Sequence, residues 1–231
     1  MDDRSFDYTG VSVLRALERA NNYNAYLADL IESAAGGTRH VLDFGAGLGT
    51  FSKLLRHRGF DVRCVEKDER LAEKLRAAGF NTVRDITEIE PASMEFIFSL
   101  NVLEHIDDDV FVASALRDKL TIGGRLFIYV PAFDCLWTSL DDRLQHYRRY
   151  TTKRLSRLVR SVHLRVIECR YADSLGFFAA LLFRIAGSKD GDLDPRHVDT
   201  YDKMAMPISR RIDRLTSSFV GKNVYVTCTK E

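Results

Sequence analysis

Residues 41–49 place a carboxylate directly before three alternating glycines, an arrangement that can hold a small ligand against the protein backbone. Asp43 ends a short apolar segment, and Gly45, Gly47 and Gly49 follow at every second position. Glycine lacks a Cβ and tolerates positive φ, so such a turn can approach a ligand closely. The spacing differs from the G-x-G-x-x-G that cradles a dinucleotide pyrophosphate, and Asp43 would repel that anion. A cationic or hydroxyl-rich ligand is therefore favoured.

A second acid, Glu66, ends the next apolar segment at residues 61–65. A carboxylate at the tip of a second strand can accept hydrogen bonds from the 2′ and 3′ hydroxyls of a ribose. A glycine turn alone is weak evidence, but an acid, a glycine turn, a helix, a strand and a second acid in this order are much more specific. A dehydrogenase-type turn and a purely structural turn are the alternatives.

Strand and helix patterns alternate along most of the chain, and this alternation must position the acids. The predicted strands are 40–44, 61–66, 82–84, 94–100, 125–130, 163–171 and 223–229. The predicted helices are 11–34 (one or two helices), 49–58, 67–78, 109–120 closed by Gly123 and Gly124, and 151–159. The alternation predicts an α/β fold with a parallel sheet and helices on both faces. Ligands of such sheets lie beyond the carboxyl ends of the strands, where Asp43, Glu66, Asp85 and Asn101 are expected to meet.

The length of 231 residues predicts one domain, residues 1–231, with additions. The additions are an N-terminal helical cap, 1–37, and two irregular segments, 131–150 and 172–221. The second of these is expected to be a helical insertion before the last strand. Both are predicted to form the lid or pocket of a substrate.

Composition narrows the class of partner. The chain has 34 basic and 33 acidic residues and a net charge of +1, which argues against a domain built mainly for nucleic acid. The four cysteines are scattered without C-x-x-C or zinc spacing, which fits free thiols in a reducing cytoplasm. The N-terminus is unlike a secretory signal, and the apolar segment 175–185 is too short to cross a bilayer, so no membrane span is predicted.

Residues 43–49 and Glu66 resemble the first motif and the ribose-binding acid of class I S-adenosylmethionine (SAM) dependent methyltransferases. The resemblance implies a Rossmann-like, seven-stranded, mostly parallel sheet with an antiparallel last strand. It also implies SAM as the cofactor and S-adenosylhomocysteine (SAH) as the product. The residues expected to contact the cofactor are Asp43, Gly45, Ala46, Gly47, Gly49, Glu66, Lys67, Asp85, Ile86, Asn101 and Val102.

The segment 101–106 narrows the resemblance to the small-molecule branch that includes the ubiquinone-biosynthesis O-methyltransferases. Some members of that branch hold a metal here through Glu-x-x-Glu-His. Asn101 stands where the first Glu would be, although Glu104 and His105 are retained. No metal is therefore predicted. His105 is a candidate general base, because imidazole titrates near neutral pH, and a purely structural hydrogen-bonding role is the alternative.

Residues 141–150 combine carboxylates, a histidine, tyrosines and adjacent arginines. Tyr147, Arg148 and Arg149 are predicted to bind the substrate, because paired guanidinium groups can grip a phosphate or a carboxylate. The alternative is a charged lid with an Arg–Asp salt bridge. His146 is the second candidate base.

These features predict methyl transfer from SAM to an oxygen or nitrogen atom of a small molecule that bears a carboxylate, a phosphate or a sugar. A non-catalytic SAM-binding partner protein and an NAD-dependent oxidoreductase are the alternative functions. A monomer or a homodimer is expected. The acceptor is not readable from the sequence.

Overall fold

The fold is built around one sheet in a computed structural model that describes residues 10–185 and 195–231. The strands are β1 (His40–Phe44), β2 (Asp61–Val65), β3 (Asn81–Val83), β4 (Met94–Leu100), β5 (Leu120–Pro131), β6 (Leu164–Ala172) and β7 (Asn223–Lys230). Their order is β3-β2-β1-β4-β5-β7-β6. β1 to β5 pair in parallel, and β7 runs antiparallel between β5 and β6. The predicted sheet class, with its antiparallel last strand, is confirmed.

Helices cover both faces of this sheet. They are α1 (Val11–Glu18), α2 (Asn21–Ala35), α3 (Thr50–His57), α4 (Glu69–Ala77), α5 (Asp109–Lys119), α6 (Ser139–Arg143), α7 (Thr152–Ser161), α8 (Ser174–Ile185), α9 (Pro195–Thr200) and α10 (Met206–Thr216). A π-helical segment, Tyr201–Ala205, joins α9 to α10. Of the described helices, none has the length and apolar character needed to cross a membrane.

The alternation of side chains along the strands creates two hydrophobic cores. On β5, Leu126 and Ile128 belong to one core and Phe127 and Tyr129 to the other, and all four are fully buried. Successive strand residues point to opposite faces, so a continuous apolar run requires helices on both sides. The same apolar runs end at the carboxyl edge of the sheet, where polar residues take over.

Gly123 and Gly124 do not close the helix after β4, as the sequence predicted, but belong to the next strand. α5 stops at Lys119, and β5 begins directly at Leu120, so Gly123 and Gly124 lie within a strand. The pairing of β4 with β5 shifts register between Met94 and Phe96, and Gly123 adopts a φ of +79°. The two glycines therefore accommodate an irregularity in the ladder and do not cap the helix.

The N-terminal helices are bound to the segment before β7. The Asp202 carboxylate accepts hydrogen bonds from the backbone N–H groups of Asn22, at 3.0 Å, and Tyr23, at 2.8 Å. It thus satisfies two donors at the start of α2. The expected insertion 172–221 is helical where the structure describes it, and its residues 186–194, like residues 1–9 of the expected cap, lie outside the described part. Its role as a lid stays a prediction.

Candidate functional site

The glycine turn after β1 is held in a left-handed backbone conformation. Gly45, Gly47 and Gly49 have φ values of +82°, +56° and +73°. The N–H groups of Gly45 and Ala46 both donate to the Val65 carbonyl, at 2.9 and 3.2 Å. This conformation is readily adopted by glycine and strained for most other residues, which explains the residue type at each position.

Two of these glycines also leave room for neighbouring side chains. A Cβ added at Gly45 would lie 2.3 Å from Cγ2 of Val102, and one added at Gly49 would lie 2.5 Å from Cδ2 of Leu75. Val102 follows β4, so this contact brings the ends of β1 and β4 together. The turn and the loop after β4 therefore form one wall of the site.

Asp43, at the end of β1, is a buried carboxylate. The hydroxyl of Ser52 on α3 donates a hydrogen bond to its Oδ2 at 2.5 Å. Burial, with a smaller contribution from the nearby charge of Glu66, raises the pKa of Asp43 to about 7, although the Ser52 hydrogen bond opposes this rise. A cationic ligand beside Asp43 would favour the ionised form and so would be bound more tightly.

Glu66, directly after β2, is also buried and is joined to two backbone segments. Its Oε2 accepts from the N–H of Gly47 at 2.7 Å, and its Oε1 accepts from the N–H of Asp68 at 2.9 Å. Burial raises the pKa of Glu66, and these two backbone hydrogen bonds oppose that rise. An ionised carboxylate has about four acceptor positions, so each oxygen can still receive a hydroxyl.

The loop after β3 holds the two residues predicted to contact adenine. Asp85 is exposed and accepts hydrogen bonds from the N–H and the hydroxyl of Thr87, each at 2.8 Å. These bonds lower the pKa of Asp85, so it is a carboxylate at neutral pH. Ile86 is buried and belongs to one of the two cores. A contact of Asp85 or Ile86 with adenine stays a prediction.

The remaining predicted cofactor residues lie at the same edge. Asn101 follows β4 with a φ of +52°, and its N–H donates to the Tyr129 carbonyl at 2.8 Å. Asparagine adopts this left-handed conformation more readily than most non-glycine residues, which suits it to the sharp turn after β4. Lys67 follows Glu66, and its carbonyl accepts from Arg84 at 3.3 Å.

The two candidate bases lie next to each other, together with a buried acid. Glu104, His105 and His146 each place one potential ligand atom within 4.8 Å of the others. The two imidazole ring centroids are 4.5 Å apart and nearly perpendicular. We name these three residues the Glu-His-His cluster. The sequence indicated both histidines separately, but it did not indicate that they meet Glu104.

Hydrogen bonds fix the tautomer of both imidazoles. Nδ1 of His105 lies 2.8 Å from the Leu144 carbonyl oxygen, and Nδ1 of His146 lies 2.8 Å from Oδ1 of Asp141. A carbonyl oxygen and an ionised carboxylate only accept, so we place the proton on Nδ1 in both rings. In the neutral form of each ring, Nε2 then carries the lone pair that can take a proton or a metal ion.

The acid of the cluster is deeply buried. Glu104 is 1% exposed, and no donor among the described residues contacts its Oε2. Burial raises the pKa of Glu104 to about 8. Burial, followed by the nearby His146, lowers the pKa of His105 to about 4. The cluster therefore holds a neutral His105 at physiological pH.

Asp141 connects the cluster to Arg149. Its two oxygens accept from Nε and Nη2 of Arg149, at 2.8 and 2.9 Å, in addition to His146. Burial alone would raise the pKa of Asp141, but the hydrogen bonds from His146 and Arg149 outweigh it and hold that pKa well below its usual range. Asp141 is thus a permanent carboxylate that orients His146.

Both arginines predicted to bind substrate are held by groups of the chain itself. Nη1 of Arg149 also donates to the Ala132 carbonyl at 3.1 Å. Nη1 of Arg148 lies 3.0 Å from Oδ2 of Asp109. Tyr147 is 57% exposed. The arginines therefore make Arg–Asp salt bridges, as the alternative interpretation of this segment expected. Binding of a substrate by Tyr147, Arg148 and Arg149 stays a prediction.

A family model described as "Methyltransferase domain" matches residues 13–168 of this chain. A curated relative, the ubiquinone biosynthesis O-methyltransferase of Xylella fastidiosa, is 29% identical over 98 residues. That match covers 38% of this chain and 40% of the relative, so the chain matches less than half the length of this relative.

Solved structures show the same fold. A SAM-dependent methyltransferase from Archaeoglobus fulgidus superimposes with a TM-score of 0.62 at 17% identity, covering 91% of this chain and 94% of that one. Phosphoethanolamine N-methyltransferase 2 of Haemonchus contortus, in complex with SAM, gives a TM-score of 0.61 at 16% identity, covering 99% of this chain and 58% of that one. At these identities the likeness concerns the fold.

Proposed function

The chain belongs to the methyltransferase domain family and has the class I SAM-dependent methyltransferase fold, and we propose that it transfers the methyl group of SAM to an oxygen or nitrogen atom of a small molecule. The observation that carries the proposal is the hydrogen bond from the glycine turn to Glu66. This bond joins the ends of β1 and β2 at the edge of the sheet where we propose that the cofactor binds. SAH is the second product.

The polar residues at this edge match the parts of SAM in order. Asp43 and the backbone of the turn are placed to hold the cationic methionine end, since a buried carboxylate favours a cation. Glu66 retains acceptor positions for the ribose hydroxyls. We assign to Asp85, which is exposed and ionised, the hydrogen bond from the exocyclic amine of adenine. Ile86 is proposed to pack against the ring.

The methyl transfer itself needs alignment more than activation, because the sulfonium is already electrophilic. The protein must hold the acceptor atom, the methyl carbon and the sulfur in line and exclude water. An acceptor hydroxyl or ammonium must also lose a proton. We assign that step to the Glu-His-His cluster, where Asp141 keeps the lone pair of His146 on Nε2.

The class of acceptor is proposed from two observations. The matched relative is named as an O-methyltransferase, which favours an oxygen acceptor. The aromatic and charged segment 137–150 borders the cluster, since Trp137 lies edge-on to His146 with ring centroids 6.4 Å apart. A small hydroxylated metabolite with a carboxylate, phosphate or sugar group fits this surrounding. A cytoplasmic setting and a monomeric or homodimeric state remain predictions.

Calorimetry with SAH and, separately, with NADH tests the cofactor. We expect SAH to bind with a dissociation constant on the order of micromolar, and NADH not to bind. Binding of NADH alone would support the oxidoreductase alternative. Binding of neither would overturn the cofactor assignment.

Catalysis is then tested by measuring the formation of SAH from SAM in the presence of hydroxylated, aminated or carboxylated metabolites as candidate acceptors. Mass spectrometry of the acceptor identifies the methylated atom. SAH binding without turnover on any acceptor would support the non-catalytic SAM-binding protein.

A further inference from the structure

The Glu-His-His cluster has the composition of a metal site with three protein ligands. Two imidazoles and one carboxylate offer ligand atoms that all lie within 4.8 Å of one another. Donor atoms bound to a single ion at about 2.0–2.2 Å lie roughly 3–4 Å apart, so small side-chain adjustments suffice to close the site. The sequence predicted no metal, because Asn101 replaces the first Glu of the known pattern. The third potential ligand, His146, belongs to a different segment of the chain.

Both histidines make the kind of hydrogen bond that a metal-ligating imidazole usually makes through its other nitrogen. A ligating imidazole generally donates its other N–H to a carboxylate or a backbone carbonyl, which fixes the ring and raises its basicity. Here Nδ1 of His146 donates to Asp141, and Nδ1 of His105 donates to the Leu144 carbonyl, each at 2.8 Å. Asp141 is in turn held by Arg149, so this orienting group is itself immobilised.

Glu104 provides the independent second observation. Its side chain is 99% buried, yet no donor among the described residues reaches Oε2. A buried polar oxygen without a partner is costly, and a bound ion is one of the explanations for such a group in a native protein. The charge of Arg149 acts on Glu104, but two hydrogen bonds join the Arg149 guanidinium to Asp141.

We propose that Glu104, His105 and His146 bind one divalent transition-metal ion, with zinc or cobalt as the preferred class. Two nitrogen donors and one oxygen donor suit these ions better than magnesium, which prefers oxygen ligands alone. Three protein ligands leave one coordination position open, as in catalytic zinc sites.

The consequence for catalysis rests on the proposed function. An ion with an open position lowers the pKa of a hydroxyl bound to it, so an acceptor alcohol or phenol bound there would lose its proton to water near neutral pH. The ion would then take over the activation of the acceptor hydroxyl that we otherwise assign to an imidazole base. The binding of the ion itself does not depend on methyl transfer.

Spectroscopic titration of the chelator-treated, dialysed protein with Co²⁺ tests the proposal. We expect saturable 1:1 binding with visible absorption bands of a four- or five-coordinate ion, and displacement by Zn²⁺. His146→Gln and the isosteric Glu104→Gln are each expected to weaken binding at least 100-fold. Asp141→Asn, which acts through His146, is expected to weaken it about 10–100-fold.

His40→Gln is the matched control, because His40 also pairs with a carboxylate, Asp61 at 3.1 Å, but both side chains are more than 70% exposed. This variant is expected to bind Co²⁺ as the unmodified protein does. Circular dichroism confirms that each variant is folded. No saturable binding, or equal binding after His146→Gln and Glu104→Gln, would overturn the proposal.

SAH calorimetry on the same metal-free samples separates this proposal from the function. SAH binding without Co²⁺ binding would overturn the metal site and leave the methyltransferase proposal standing. Co²⁺ binding without SAH binding would leave the metal site standing and overturn the proposed cofactor.

Discussion

The backbone N–H of Gly47 donates a hydrogen bond of 2.7 Å to Oε2 of Glu66, so the acid after β2 is bonded directly to the glycine turn after β1. Neighbouring parallel strands bring these two residues together, because Phe44 pairs with Val65 at the ends of β1 and β2, from which the glycine turn and Glu66 follow. The relationship gives Glu66 two functions in the proposed site. It holds the turn in shape, and it keeps acceptor positions for a ribose.

Replacement of Glu66 by Gln should weaken SAH binding at least tenfold. The amide loses the charge and, in either orientation, one of the two acceptors that now receive backbone N–H groups. A hydrogen bond to a charged group contributes about 1.5–3 kcal/mol, and 1.4 kcal/mol corresponds to a factor of ten. Calorimetry is the measurement, and Glu73→Gln, an exposed acid on α4, is the control. Equal affinity in the two variants would show that Glu66 does not serve the cofactor.

Replacement of Gly45 by Ala should abolish SAH binding and destabilise the protein. The new Cβ would meet Val102 at 2.3 Å, in addition to the strain of a positive φ. Gly59→Ala isolates that strain, because Gly59 has a φ of +84° with no neighbouring atom within 4 Å of the added Cβ. We expect urea denaturation to show a loss of about 1–2 kcal/mol for Gly59→Ala and a further 1–3 kcal/mol for Gly45→Ala. Normal SAH affinity after Gly45→Ala would contradict the close contact.

Replacement of Asp43 by Asn should stabilise the protein without cofactor at pH 8 while it weakens SAH binding. Burial raises the pKa of Asp43 from 3.8 to about 7, so the folded state holds a proton that the unfolded state releases. The stability of the unmodified protein therefore falls as pH rises from about 4 to 7. The asparagine side chain would stay neutral at every pH and keep an acceptor for Ser52.

The measurement is the difference in unfolding free energy between the two proteins at pH 4, 6 and 8. It should grow with pH, and the use of a difference largely removes the contributions of Glu66 and Cys64, which also face Asp43. Asp61→Asn, at an exposed position on β2, should show no such trend. A difference that shrinks with pH would mean that Asp43 is ionised in the folded protein at low pH.

Replacement of Arg149 by Met should act on stability more than on substrate affinity. It would leave the Asp141 carboxylate, 2% exposed, without its guanidinium partner. Removal of one partner from a buried ion pair costs about 3–5 kcal/mol. Arg157→Met, at an exposed position on α7, should change stability by less than about 0.5 kcal/mol. Normal stability of the Arg149→Met protein, together with a raised KM for the acceptor, would instead support the prediction that Arg149 binds the substrate.

Local patterns in the sequence were sufficient for much of the fold and part of the site. Short apolar runs between helical patterns predicted the strands, and the acids that end β1 and β2 were recognised because parallel strands bring their carboxyl ends to one edge. The glycine turn was also readable, since positive φ restricts residue type. The start of β5 was placed five residues too late, because Gly123 and Gly124 belong to a strand irregularity that only the pairing with β4 reveals.

The sequence by itself therefore determined the sheet class, the order of its strands along the chain and the composition of the edge where SAM is proposed to bind. Only the tertiary structure decided that His146 meets Glu104 and His105, that Arg149 is held by Asp141, and that Asp202 caps α2. The physical reason is the distance along the chain over which each feature is determined. Strand alternation and backbone φ are set by neighbouring residues, whereas the partner of a buried charge depends on how irregular segments distant in the chain pack together.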